Sequence, residues 1–114
     1  MIHHMKLHDQ PFRMISEGYK TIELRLYDEK RRCIREGDTI VFSRSRDQTE
    51  QICAKVVKLH RFDSFAELYR ALPLEQCGYL PEEAAAASPK DMEAYYTAEE
   101  QARYGVVGIE LELF

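Results

Sequence analysis

Hydrophobic and polar residues alternate most cleanly at Lys20–Tyr27. Ile22, Leu24 and Leu26 interleave with Thr21, Glu23, Arg25 and Tyr27, the period-two pattern of a half-buried strand. The apolar set faces a core, and Glu23 and Arg25 project together from the opposite face, about 7 Å apart at the backbone. Before this strand, Met5–His8 reads as a short strand. Asp9 is placed as a helix cap, Pro11 falls in the first turn, and Phe12 and Ile15 form the buried side of a helix that Gly18 ends. After it, Asp28–Arg32 reads as a charged turn or short helix, and Glu36-Gly37-Asp38 as a turn. Thr39–Ser43 and Gln51–Leu59 form an antiparallel hairpin. The run Ile52, Cys53, Ala54, Val56, Val57 suits a strand covered on both faces.

From Asp63 the period lengthens. Phe65, Leu68, Tyr69 and Leu72 fall at helical spacing behind an Asp63 or Ser64 cap, and Pro73 ends the helix. Helical pieces follow at Pro81 and Lys90, and Thr97 with Glu100 makes a capping box for a last short helix ending before Gly105. Val107, Ile109, Leu111 and Leu113 share one face of a closing strand, with Glu110 and Glu112 on the other. The order of strand, helix, three strands, helical insertion and strand predicts an α+β fold. Its expected form is a small, partly closed β-barrel of about five to six strands, with helices covering its ends.

The chain has 114 residues, enough for one domain spanning 1–114. No apolar run reaches membrane-helix length, and Met1–Met5 lacks the features of a signal peptide, so the expected location is cytoplasmic. Cys33, Cys53 and Cys77 have no zinc spacing and read as reduced, mostly buried thiols. The histidines have no tight metal pattern either, and no glycine-rich phosphate loop occurs, so no metal or cofactor is expected. The net charge of −4 argues against unselective nucleic-acid binding. The charge is segregated: residues 1–61 hold 13 Lys/Arg against 9 Asp/Glu, and residues 62–114 hold 3 against 11. A basic face built by the first half and an acidic, solubilising second half both fit.

Lys20 precedes a strand whose polar face carries Glu23 and Arg25. An arginine offers planar donors to a phosphate or a base edge, a glutamate accepts from an exocyclic amine, and a lysine adds a mobile charge. A solvated surface ion pair explains the same residues without any ligand. Arg31, Arg32, Arg35, Arg44 and Arg46 flank the strands as candidate backbone contacts, and Tyr19, Tyr27, Tyr95, Tyr96 and Tyr104 are candidate stacking platforms.

Pro11-Phe12-x-x-Ile15-x-x-Gly18-x-Lys20-x-x-Glu23-x-Arg25, then Gly37-Asp38-x-Ile40 and the late Tyr104-Gly105-Val106-Val107-Gly108-Ile109, together resemble the ASCH domain, a branch of the PUA-like group. The resemblance covers nearly the whole chain. It implies a β-barrel surrounded by helices and a cleft that takes RNA or modified bases. Lys20, Glu23 and Arg25 would be central to that cleft, with Tyr19, Tyr27 and Arg44 as further ligand contacts. One branch of the group hydrolyses an acylated cytidine with a lysine and a threonine of this signature and a glutamate elsewhere. Lys20 matches that lysine; Glu23 stands in the threonine's place, and Thr21 lies two positions off. The expected function is binding of RNA or a nucleotide-like ligand. The alternatives are amide hydrolysis on an acylated nucleoside such as N4-acetylcytidine, and a protein-interaction module using the acidic second half.

Overall fold

The computed structural model describes residues 1–45 and 50–114. Arg46, one of the candidate backbone contacts, lies outside the described residues, as does most of the polar loop it belongs to. Five strands form one mixed sheet in the order β1-β3-β4-β5-β2. They are β1 (Ile2–Leu7), β2 (Ile22–Leu26), β3 (Thr39–Arg44), β4 (Gln51–Phe62) and β5 (Val106–Leu113). β1 runs parallel to β3, and the other pairings are antiparallel, including the β3–β4 hairpin. The sheet curls into a half-barrel whose free edges are β1 and β2. This is the α+β, partly closed barrel expected, with five strands.

Short helices complete the chain: α1 (Asp9–Ser16), α2 (Glu29–Arg32), α3 (Phe65–Ala71), α4 (Pro81–Ala84) and α5 (Ala98–Tyr104), with 3₁₀ segments Leu74–Cys77 and Pro89–Ala94. Their caps follow the sequence closely. Ser64 accepts from the Glu67 N–H, and Thr97 and Glu100 form a reciprocal capping box. α1 differs: His8 is its cap residue and makes no side-chain cap, while Asp9 is the first helical residue.

Two apolar clusters lie on opposite faces of the sheet. The concave face buries Ile40, Phe42, Ala54, Val56, Val107 and Ile109, with Phe12 and Ile15 of α1 packed into it. The convex face of β2 and β5 buries Ile22, Leu24, Leu26 and Val106 under Phe65, Leu68 and Tyr69 of α3. The alternation in β2 therefore has a consequence that the sequence alone does not give. Glu23 pairs with Ile109 and Arg25 with Val107, so both charged residues point into the concave, barrel-interior side.

Two sequence expectations need correction. β4 is not covered on both faces: Ala54 and Val56 are buried, whereas Cys53 is exposed and Val57 is 39% exposed. The helical insertion packs instead over β2 and β5. The thiols are not mostly buried, since Cys33 and Cys53 are exposed and only Cys77 is enclosed. Among the described residues, no helix is long and apolar enough to cross a membrane.

The start of β1 is tied down by Asp38, the residue after the Gly37 turn. Its carboxylate accepts from the Arg35 N–H at 3.0 Å, is hydrogen-bonded to His3 Nε2 at 2.8 Å, and lies 3.4 Å from the N-terminal amine. The His3 and Arg35 hydrogen bonds hold the Asp38 carboxyl at about 2, below its ordinary 3.8. Ionised Asp38 thus contributes stability above about pH 4, and the contribution is lost as pH falls through about 2. Asp38→Asn is expected to lower the urea midpoint at pH 7, and its gap from the parent should narrow on acidification towards pH 2. An equal gap at both pH values would refute this assignment.

Candidate functional site

Gly18 ends α1 with a positive φ of 84°, a conformation that suits a residue without a side chain. The Tyr19 and Lys20 N–H groups then both donate to the Met14 carbonyl, at 2.9 and 3.1 Å. Thr21 is pinned by its N–H to the Gln76 carbonyl at 2.9 Å. This turn, anchored from both sides, delivers Lys20 to the concave side just before β2 begins. Its stem packs against Gly78, where an added Cβ would lie 3.3 Å from Lys20 Cδ.

Glu23 is the buried centre of the arrangement, with only 3% of its surface exposed. Lys20 Nζ lies 2.7 Å from one carboxylate oxygen, and Arg25 Nε donates to the other at 2.8 Å. Arg25 Nη2 also donates to the Lys6 carbonyl at 3.1 Å, so one guanidinium links the two free edges of the half-barrel. Burial alone would raise the Glu23 pKa, but the adjacent ammonium and guanidinium outweigh it and hold the carboxyl below its usual range. Burial likewise pulls Arg25 down, and the Glu23 charge more than restores it.

The trio forms the floor of a cleft of about 460 Å³. One wall comes from the β1–α1 segment, including Lys6, His8 and Gln10. The helical insertion supplies the other: Tyr69, Cys77, Tyr79, Asp91, Tyr95 and Tyr96. Tyr79 donates to Asp91 at 2.7 Å; because a phenol has one proton, Tyr69 must donate to Tyr79 across their 2.6 Å contact. The Tyr79 hydroxyl and the Ser88 N–H hold Asp91 below the usual carboxylate range. Burial pushes the Cys77 thiol up to about 11, which leaves it protonated and unreactive at neutral pH. Tyr96 stacks on Phe65 at 6.0 Å, while Tyr95 is 65% exposed at the mouth.

Lys20, Glu23 and Arg25 are therefore brought together, and Tyr95 and Tyr96 join them. Among the described residues, the other candidate contacts lie outside this cleft. Tyr19 is 68% exposed. Tyr27 packs against the concave cluster under Arg32 and Arg61. Arg44 sits over the Phe12 ring at 4.9 Å and within 3.6 Å of Glu50. Tyr69, Tyr79 and Asp91 carry no motif; Tyr69 reads as an ordinary apolar helix position, and only packing of the insertion turns its hydroxyl towards the cleft. Among the described residues, no group of three His, Cys, Asp or Glu could hold a metal ion.

The model of the ASCH domain matches residues 5–114. The chain belongs to the ASCH domain family. The crystal structure of hypothetical protein PH0355 superposes with a TM-score of 0.83 at 34% identity, and the match covers 100% of both chains. The solution structure of protein PF0455 from Pyrococcus furiosus superposes with a TM-score of 0.70 at 33% identity, covering 100% of this chain and 98% of that one. No curated protein matches this chain.

An ASCH domain with this floor depends on buried Glu23 for the balance of two partly buried cations. Glu23→Gln keeps the shape but removes the anion, leaving Lys20 and Arg25 facing each other. Breaking a buried pair from one side costs about 3 kcal/mol. Urea unfolding at neutral pH should register a loss of that order; a loss below about 0.5 kcal/mol, the size of an ordinary surface substitution, would mean that the trio is not the buried unit described.

Proposed function

We propose that the cleft receives a nucleobase or modified nucleoside, carried on RNA, with its polar edge against Lys20, Glu23 and Arg25. The observation that carries this reading is the trio centred on buried Glu23 at the floor of a tyrosine-lined cleft. Arg25 supplies planar donors suited to a carbonyl or ring nitrogen, and Glu23 keeps lone pairs for an exocyclic amine. Tyr95 and Tyr96 supply faces for stacking. The charged side chains of the lining also bear on the guest: Lys6, Lys20 and Arg25 offset Glu23, Glu83 and Asp91. A balanced lining favours a neutral, polar ring over a free polyphosphate. In this reading Tyr19 and Tyr27 serve nucleotides flanking the bound one, and Arg44 reaches the backbone from the rim. The exposed thiols Cys33 and Cys53 fit a reducing, cytoplasmic setting.

Hydrolysis of an acylated nucleoside fits the geometry less well. Glu23 occupies the place that the resemblance gives to a threonine, and two cations hold it ionised, which makes it a weak base and a weak nucleophile.

A titration of nucleosides and short RNA oligomers tests the binding reading. Lys20→Ala and Arg25→Ala should each weaken the tightest ligand by tenfold or more, since a charge-assisted hydrogen bond contributes about 1.5–3 kcal/mol. Binding by both variants at the parent's affinity, with circular dichroism unchanged, would refute the assigned cleft. Turnover of N4-acetylcytidine that is lost in Lys20→Ala would replace binding with hydrolysis.

A further inference from the structure

A second and larger concavity, of about 1010 Å³, opens beside β4, α3 and α5. It is separate from the Glu23 cleft, with the 3₁₀ helix Pro89–Ala94 as a shared wall. Lys90 and Glu93 of that helix line the groove, while Asp91 and Met92 line the cleft. Four cationic residues line the groove, Arg32, Arg61, Lys90 and Arg103, against two acidic ones, Asp63 and Glu93. In a chain of net charge −4 this is a local positive excess. Residues 62–114 contain only three Lys/Arg, and Lys90 and Arg103 are two of them.

These cations differ in one respect from Lys20 and Arg25, two of the three in the cleft. Lys20 and Arg25 are neutralised by Glu23. Among the described residues, no carboxylate lies within 4.0 Å of a charged nitrogen of Arg32, Arg61, Lys90 or Arg103. The three arginines rest on aromatic rings instead, and Arg32 on backbone carbonyls as well. Arg32 lies over the Tyr27 ring at 4.7 Å and Arg61 over the same ring at 5.7 Å, while Arg103 lies over Tyr104 at 5.2 Å. Arg32 also donates to the Tyr27 carbonyl at 3.0 Å and the Tyr104 carbonyl at 3.1 Å, which fixes it on the groove floor. A guanidinium resting on a ring keeps its N–H edge free for an oxyanion, and its restricted motion lowers the entropy lost on binding.

We infer that this groove is a phosphodiester-binding site for single-stranded RNA, in which Arg61, Lys90 and Arg103 hold backbone phosphates beside the Tyr27 and Tyr104 rings. The choice of RNA as the source of the phosphates rests on the nucleic-acid reading of the cleft; the anion site rests on the groove itself. A strand crossing the shared 3₁₀ wall would place a base in the cleft and its neighbouring phosphates in the groove.

The test measures anisotropy of labelled oligouridylate and oligoadenylate over a range of salt, with the parent and the variant Arg61→Ala/Lys90→Ala/Arg103→Ala. All three side chains are exposed, so the fold is expected to survive, with circular dichroism as the check. Arg32 is left intact because it braces two backbone carbonyls. Each lost phosphate contact reduces the salt slope for a single strand by about 0.7, so the triple variant should lose about 2 from its slope and weaken both sequences alike. An unchanged slope and affinity would overturn the site. The parent should also prefer oligouridylate over inorganic polyphosphate of matched length; the reverse order would overturn the assignment to RNA. Binding of a free nucleoside to the cleft is measured in parallel. Nucleoside binding with no effect of the groove variant on the oligomers rejects the groove alone, whereas a lost slope without nucleoside binding rejects the cleft reading and supports the groove as an anion site.

Discussion

A carboxylate inside a small barrel is costly unless its charge is answered on the spot. Glu23 meets that condition with two cations, one on each carboxylate oxygen. Much of the local architecture serves this constraint. Gly18 turns the chain so that Lys20 arrives from the helix side, Gly78 leaves room for the lysine stem, and the period of β2 puts Arg25 on the same face two residues later. Arg25 then uses a second donor on the Lys6 carbonyl and joins the sheet's two free edges. The ion-pair cluster and the closure of the half-barrel are thus one interaction, which explains why a polar trio is tolerated at the end of a packed core.

The same constraint sets the chemistry of the cleft lining. A lone buried arginine would seek any anion. An arginine already paired with Glu23 has less charge to offer and instead presents directed donors next to directed acceptors. The tyrosine wall continues this pattern. The chain of hydroxyls from Tyr69 through Tyr79 ends on Asp91, so polar groups on that side are also matched. The result is a lining that is rich in hydrogen-bonding groups and carries little unbalanced charge.

The fold was legible in the sequence wherever local pattern and tertiary packing agree. The alternation in Ile22–Leu26, the hairpin of β3 and β4, the Ser64 and Thr97 caps and the closing strand all follow from residues close in sequence. The trio was visible for the same reason, since Lys20, Glu23 and Arg25 lie within six residues of one another. What could not be read was the meaning of the polar face. Alternation assigns Glu23 and Arg25 to the side opposite Leu24 but does not say whether that side meets water or the barrel interior; curvature of the sheet and the placement of α1 decide it. The misread cover of β4 has a similar cause. Its apolar run is real, yet the helices that would cover the outer face were drawn to Ile22, Leu24 and Leu26. Tyr79 and Asp91 lie beyond any local signal because they reach the cleft only through the insertion, more than 50 residues after Lys20.

That insertion also explains the uneven charge along the chain. Residues 62–114 are strongly acidic, yet they contribute Lys90 and Arg103 to the groove and Asp91 to the cleft. A 3₁₀ helix turns about 120° per residue, so successive side chains leave it in different directions. In Pro89–Ala94 this places Lys90 in one concavity and Asp91 in the other. One short segment thereby separates a charge-balanced cleft from a cationic groove without either site disturbing the other's electrostatics at contact distance. An insertion that merely solubilised the barrel would scatter its few cations over the acidic surface. Placing two of three along one groove, away from carboxylates and with Arg103 resting on a ring, is the arrangement expected when the acidic half takes part in holding an anion rather than only in keeping the protein in solution.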